Sequence, residues 1–281
     1  MNDRLVVGCD GSDASVAAAR WAGAEAEIRN AAVRVVSSYS VTFAADPYGM
    51  TAAYLTPAEL DRVRLAATEK VSSVVAGVAH QHPRVGVDLA VVDEDAASLL
   101  LHEGQSSDLL VVGSSGLGSV KGILLGSVVS SLLHECPCPL VVVPEKSHGT
   151  GAGVVVGVDG SESSRSALDW AADEATRRGV ALRVLHAWEY PYRATTGRDF
   201  AEVDAATLLE DAVRTATERC PNDVSGELVE GGPVAALLAA GETAELLVVG
   251  SRRRGGFRSM LFGSVAHGVA AHATTPVVVL H

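Results

Sequence analysis

The sequence is written twice. "LVVGCDGSDAS" at 5–15 returns as "VVVGVDGSESS" at 154–164, and "SDLLVVGSS" at 107–115 returns as "AELLVVGSR" at 244–252. Trp21 in "ARWAGAEA" and Trp170 in "LDWAADEA" stand in register, and "CPLVVVP" at 138–144 returns as "TPVVVLH" at 275–281. Each copy is long enough to bury a core of its own, so whatever fold suits one copy must be built twice. The offset is 159 − 10 = 149 at the front and 250 − 113 = 137 farther on, so the first copy is longer by 149 − 137 = 12 residues. The surplus falls around "TFAADPYGMTAAYLTP", 42–57, which reads as a long loop. "EKSHGTGAG" at 145–153 is polar and Gly-rich, as linkers are. Domains over 1–147 and 152–281 are expected.

Within each copy the pattern reads strand, helix, strand, loop, helix, strand, helix, strand, helix, strand. In the first copy the strands fall near 4–9, 33–38, 86–92, 108–113 and 139–143, with helices near 13–29, 57–80, 95–105 and 122–135. Several strands are Val/Leu runs without alternation, as expected of strands buried on both faces. Alternating β and α predicts an α/β fold: two tandem Rossmann-like domains, each with a parallel sheet and helices on both faces. The last strands, "PLVVV" and "PVVVL", begin with proline, which suits a sheet edge. An uncovered edge is a pairing hazard, so the two copies are expected to lean on each other there, and a homodimer through the same strands or nearby surfaces is a further expectation.

Aromatics are only 4% of the chain, so Val, Leu and Ala must build the core. The net charge of −12 argues against nucleic acid as a partner, because phosphate backbones need a basic surface. No apolar run approaches the ~20 residues of a membrane helix, and "MNDRLVVGCDGS" lacks a signal peptide's apolar stretch. A cytoplasmic protein with no membrane partner is expected. The cysteines are Cys9, Cys136, Cys138 and Cys220; the "CPC" spacing is not that of a zinc knuckle, and reduced thiols are expected.

Two βα turns per copy carry chemical signal. In "GCDGSDAS", Asp10 stands at the carboxyl end of a first strand, where open α/β sheets bind ligands, and Asp159 repeats it. The serines of this turn also serve as turn and N-cap residues. The second turn is "VVGSSGLGSVKGILLGSVVSSLL", 111–133, with Gly113 ending a strand, Gly116 at the turn, and Gly126 and Ser127 at a helix start. Glycines let backbone amides approach an anion, and a helix N-terminus adds partial positive charge; Ser127 adds a hydroxyl and Val128 an amide. The alternative is that these glycines only shape two turns. No G-K-[ST] is present, so this is not a P-loop, and it follows the fourth strand rather than the first, so it is not the dinucleotide fingerprint. In the second copy Gly250, Gly263 and Ser264 are kept, while Arg253 replaces the middle glycine. Arg253 either blocks a phosphate, clamps one with its neighbours in "RRR", or points to solvent. Lys121 and Arg258 align within the glycine loops. The histidines show no triad spacing or metal motif, and the chain lacks the "SGGxDS" loop of pyrophosphatase-type adenylating enzymes.

G-x2-G-x9-G-[ST] after "LLVVGS", with "VGxDGSxxS" at each domain start and "CPCPLVVV" near an end, resembles the universal stress protein family, in its tandem form common in actinobacteria. The resemblance covers nearly the whole chain. It implies strand order 3-2-1-4-5 in each five-stranded sheet, which sets the Asp10 and Gly113 turns on one crevice. It implies ATP, with Mg²⁺ on its phosphates. Asp10 would sit beside the nucleoside and the backbone near Ser38 would read adenine. Gly113, Gly116, Gly126, Ser127 and Val128 would hold ribose and phosphates. The second copy would use Asp159, Ala187, Gly250, Gly263, Ser264 and Val265, with Arg253 as the departure. The function implied is an ATP-binding stress-response regulator that presents a changed surface to a protein partner, rather than an enzyme. The alternatives are slow ATP hydrolysis or self-phosphorylation near Asp10 or Ser127, and a nucleotide-free dimerising scaffold.

Overall fold

A computed structural model describes residues 4–39, 56–116, 125–146, 151–189, 198–251 and 264–281. The expected loop at 42–57 lies outside them except for its last two residues, and Lys121, Arg253, Arg258 and Gly263 lie outside them too. In the first copy the elements are β1 (Arg4–Gly8), α1 (Asp13–Arg29), β2 (Ala32–Tyr39), α2 (Pro57–Gln81), β3 (Val87–Asp93), α3 (Ala96–Gly104), β4 (Leu109–Gly113), α4 (Ser127–Glu135) and β5 (Leu140–Val143). The second copy gives β6 (Val154–Gly157), α5 (Glu162–Arg178), β7 (Leu182–Trp188), α6 (Arg198–Arg219), β8 (Val224–Glu230), α7 (Pro233–Gly241), β9 (Leu246–Gly250), α8 (Ser264–His272) and β10 (Val277–Leu280). The expected helix at 122–135 begins only at Ser127, because Gly126 is extended (ψ 155°) and serves as its N-cap.

All ten strands form one sheet, in the order β3-β2-β1-β4-β5-β10-β9-β6-β7-β8. Each half has the order 3-2-1-4-5, parallel throughout, and the halves join at β5 and β10, which pair antiparallel with Val278 opposite Val141. The last strands are each the edge of their own five-stranded half, and the two copies lean on each other there as expected, which places β5 and β10 in the middle of the joined sheet. Pro139 and Pro276 stand just before them, and their carbonyls accept from Leu110 N–H and Leu247 N–H, each at 3.0 Å. The prolines thus sit where a missing N–H breaks no ladder. β5 and β10 pair with each other within the chain, and among the described residues β3 and β8 are the outermost strands of the sheet.

Strand residues alternate between two apolar layers. Leu5, Val7, Leu109 and Val111 pack under α1 and α2, with Val71 and Val78 of α2. Val6, Leu110 and Val112 pack under α3 and α4, with Leu100 and Leu132. The same division repeats with α5 and α6 on the first face and α7 and α8 on the second, so each layer runs unbroken across both halves. Small residues let α1 and α5 lie close on the sheet: Ala18, Ala22 and Ala26, and Ala167, Ala171 and Ala175, are wholly buried.

Where α1 meets α5 the seam buries four charges. Glu25 and Arg29 of α1 interlock with Glu174 and Arg178 of α5: Arg29 pairs with both glutamates, and so does Arg178. The two glutamate side chains are at most 1% exposed. Arg29 lies over the Trp170 ring at 5.5 Å and Arg178 over Trp21 at 6.0 Å, so each tryptophan covers the other half's cation. Burial, with the Glu174 carboxylate beside it, pushes the Glu25 carboxyl up from the ordinary glutamate range. Burial opposes the charge on Arg178 as well, but the two carboxylates outweigh it and raise its pKa.

Candidate functional site

The β1 and β4 strands are neighbours whose connections leave on opposite faces, α1 on one and α4 on the other. A crevice opens at their carboxyl ends for that reason. It has a volume of ≈ 360 Å³. Asp10, Ser38, Gly113, Gly116, Gly126, Ser127 and Val128 all line it, so the structure brings together all seven first-copy residues singled out in the sequence.

The Asp10 wall is a tight turn. Gly11 has φ +78°, a left-handed conformation open to glycine. Asp10 Oδ1 accepts Ser12 N–H at 2.9 Å, which aims the carboxylate. Ser12 N-caps α1 by accepting Ser15 N–H at 3.3 Å, and the Ser15 hydroxyl donates to Ser12 C=O at 2.9 Å. The serines are therefore occupied by the turn and the cap. Across the crevice, Gly126 N–H donates to Ser114 C=O at 3.0 Å and so pins the start of α4 against the end of β4. The first bond inside α4 is Ser130 N–H to Gly126 C=O, so the amides of Ser127, Val128 and Val129 face out of the helix N-terminus. Together they form a small field of donors with partial positive charge.

The glycines divide by role. A Cβ on Gly113 would stand 2.5 Å from the Ala14 carbonyl carbon, so Gly113 exists to let the first turn of α1 close onto β4. Gly250 does the same for Ser163, with a clash at 2.6 Å. Gly116, at the turn, does not have positive φ. What it allows is the approach of Asp10, whose Oδ2 would lie 2.8 Å from an added Cβ. A Cβ on Gly126 would meet, among the described residues, the Ser114 carbonyl oxygen at 3.8 Å as its nearest neighbour.

Sequence reasoning missed the apolar half of the crevice. Val36, Leu99, Leu100 and Leu125 wall it, with Cys9 beside them, and they supply the dry surface a planar ring would stack on. Burial pushes the Cys9 thiol up, so it packs as an apolar group. Lys70 of α2 was missed too: its side chain covers Gly11 where Leu208 covers Gly160 in the other half. No local pattern marks either feature, because both depend on which residues the topology brings to the switch point.

The second half repeats the crevice at ≈ 310 Å³, lined by Asp159, Ala187, Gly250, Ser264 and Val265 among others. Asp159 Oδ1 accepts Ser161 N–H at 3.0 Å, and Gly160 has φ +77°, as in the first turn. His186 lies at the end of β7, with Nδ1 2.7 Å from Val158 C=O. Among the described residues no group of three His, Cys, Asp or Glu could hold a metal ion. No helix of the described residues is long and apolar enough to cross a membrane.

A family model described as the universal stress protein family matches residues 1–144 and 153–281. A universal stress protein of Mycolicibacterium smegmatis is 36% identical, covering 98% of this chain and 96% of its own length. One from Mycobacterium tuberculosis strain H37Rv is 35% identical, with 98% and 95% covered. Among solved structures, a universal stress protein from Archaeoglobus fulgidus superposes with TM-score 0.70 at 21% identity, covering 100% of this chain and 98% of its own, which shows the shared fold.

Proposed function

The chain belongs to the universal stress protein family, and from that premise we propose that its first crevice binds an adenine nucleotide, ATP, in the service of stress-response regulation. One observation carries the reading: the same crevice holds an apolar slot and, across from it, the outward amides of Ser127 to Val129 with Asp10 between. An adenine ring fits the slot between Val36 and Leu99, and the backbone near Ser38 offers it hydrogen bonds. A ribose hydroxyl suits the Asp10 carboxylate, which accepts and repels a bare phosphate. The phosphates suit the α4 N-terminus, whose amides favour an anion. Mg²⁺ would ride on the phosphates and offset their charge near Asp10.

The protein works as a binder in this reading. Occupancy would change the surface that a protein partner meets. A homodimer through surfaces near the terminal strands belongs to the same reading. Calorimetric titration of ATP·Mg into nucleotide-stripped protein tests it, with Gly116→Arg and Arg253→Gly alongside. The expected result is about one ATP for the wild type, none for Gly116→Arg, and a second for Arg253→Gly. No heat in any form would sink the nucleotide reading.

A further inference from the structure

Away from the crevice, at the far end of α4, two sulfurs lie together. Cys136 is the C-cap of α4, its N–H donating to Leu132 C=O, and it is fully buried. Cys138 follows after Pro137 and is partly exposed, the one described cysteine that is. Their Sγ atoms are 3.9 Å apart, and the Ser107 Oγ lies 3.4 Å from Cys138 Sγ. Gly104 lies beside the pair: a Cβ there would crowd Pro137 at 3.2 Å and stand in ordinary contact with Cys138 Sγ at 3.6 Å. The Cys136 thiol draws the Cys138 pKa below the ordinary cysteine value; burial opposes it, and the Ser107 hydroxyl adds to it.

The repeat shows that the fold does not need these groups. At the offset of 137, the second half has Ala273, Thr275 and Ala244 where the first has Cys136, Cys138 and Ser107. Thr275 is buried, and its hydroxyl donates to Gly241 C=O at 2.6 Å, which satisfies the site. In the first half the Ser107 hydroxyl lies between Gly104 C=O at 3.3 Å and Cys138 Sγ at 3.4 Å, and its one proton can serve either. The position 138 side chain is here a thiol, open to solvent on one side and to a second thiol on the other.

We infer that Cys138 and Cys136 form a redox-active dithiol that reduces a hydroperoxide, with Cys138 as the attacking sulfur and Cys136 as the resolving one. The Cys138 thiolate attacks the outer peroxide oxygen. The O–O bond breaks, an S–O bond forms, and the alkoxide leaves as an alcohol after taking a proton; sulfur is oxidised by two electrons. The Cys136 sulfur then attacks the Cys138 sulfenic sulfur, the S–O bond breaks, and hydroxide leaves as water with the Cys136 proton. In sum, two thiols and one hydroperoxide give one disulfide, one alcohol and one water. The sulfurs must close from 3.9 Å to about 2.05 Å. A loop closed across a single proline is strained, and strained disulfides are the readily reduced ones, so ordinary dithiols reverse the step.

The test uses the full reduced chain. It is treated with one equivalent of hydrogen peroxide, quenched with a maleimide in denaturant, and weighed with its fragments. Two of the four thiols should disappear in the wild type. The fragment carrying both Cys136 and Cys138 should be about 2 Da lighter and regain both thiols with dithiothreitol. Cys138→Ser should lose none. Cys136→Ala should stop at a sulfenic acid on Cys138, captured by dimedone. Full maleimide labelling of Cys136 and Cys138 after peroxide would overturn the inference. So would loss confined to Cys9 or Cys220, or a disulfide that joins two chains. The wild-type fragment mass decides the matter even if a variant fails to fold.

Discussion

At the scale of single residues, two glycines three positions apart do different work, and their variants separate on different readouts. Gly113→Ala forces a methyl against the Ala14 backbone, which cannot move without shifting α1. It should destabilise the protein by about 1–3 kcal/mol, read as a lower urea midpoint. In Gly116→Arg the new Cβ meets the Asp10 carboxylate, the end of a side chain rather than backbone. The urea midpoint of this variant should stay near the wild type while ATP affinity in calorimetry falls at least tenfold, about 1.4 kcal/mol. Loss of stability in the second variant rather than the first would reverse this division. The position of Gly113 was readable from the sequence because the repeat displays it twice, as Gly250, while Gly116 stood out as the glycine that the second copy replaces with Arg253. Their reasons were not, since a packing contact with Ala14 and a carboxylate neighbour arise only once β1 and β4 are adjacent. Trp21 and Trp170 teach the same lesson: their register is visible in the sequence, but that each lies under the other half's arginine is not.

At the scale of elements, the Val and Leu strands were plain because burial on both faces leaves nothing polar in them. The start of α2 carries a capping box of Thr56 and Glu59 with Pro57 between them, whereas α4 has as its N-cap a glycine without a side chain, and its start was misplaced at 122. For β5 and β10 the leading prolines read as edges of each half that the other copy must cover, but the antiparallel pairing and its register were not readable, because the partner strand is distant in the chain. Asp95 offers a test of one cap. Its Oδ2 accepts Ser98 N–H at 3.0 Å, and that bond holds its carboxyl below the usual aspartate value. Asp95→Ala should cost about 0.5–1 kcal/mol, the lower range because the site is exposed. The folded pKa is lowered, so the charge contributes fully above about pH 4, the unfolded value, and its contribution fades as pH falls through the lower folded value. Asp95→Asn keeps a cap without the titration. The stability gap between wild type and Asp95→Asn should therefore shrink between pH 7 and pH 3 in urea melts.

At the scale of the whole molecule, the seam combines a strand pairing with the buried charges of Glu25, Arg29, Glu174 and Arg178. Removing one member leaves its partners charged and dry. Arg178→Met should thus cost about 3–5 kcal/mol, whereas apolar residues at all four positions should cost far less or even stabilise. Guanidinium denaturation of the two variants compares them directly, and equal losses would show that the charges do not act as a set. The seam also carries hydrogen bonds from the second half to the first, Ser251 Oγ and His281 Nε2 both reaching Leu133 C=O. Both halves therefore meet at a surface that one polypeptide supplies. The short chain between Val143 and Val154 holds the two faces at an effective concentration on the order of millimolar. An association of only about 4 kcal/mol would be half closed at that concentration. Cut that tether, and the same faces become two solutes that must find each other by diffusion. At micromolar dilution, only a seam stronger than about 8 kcal/mol would keep the sheet whole.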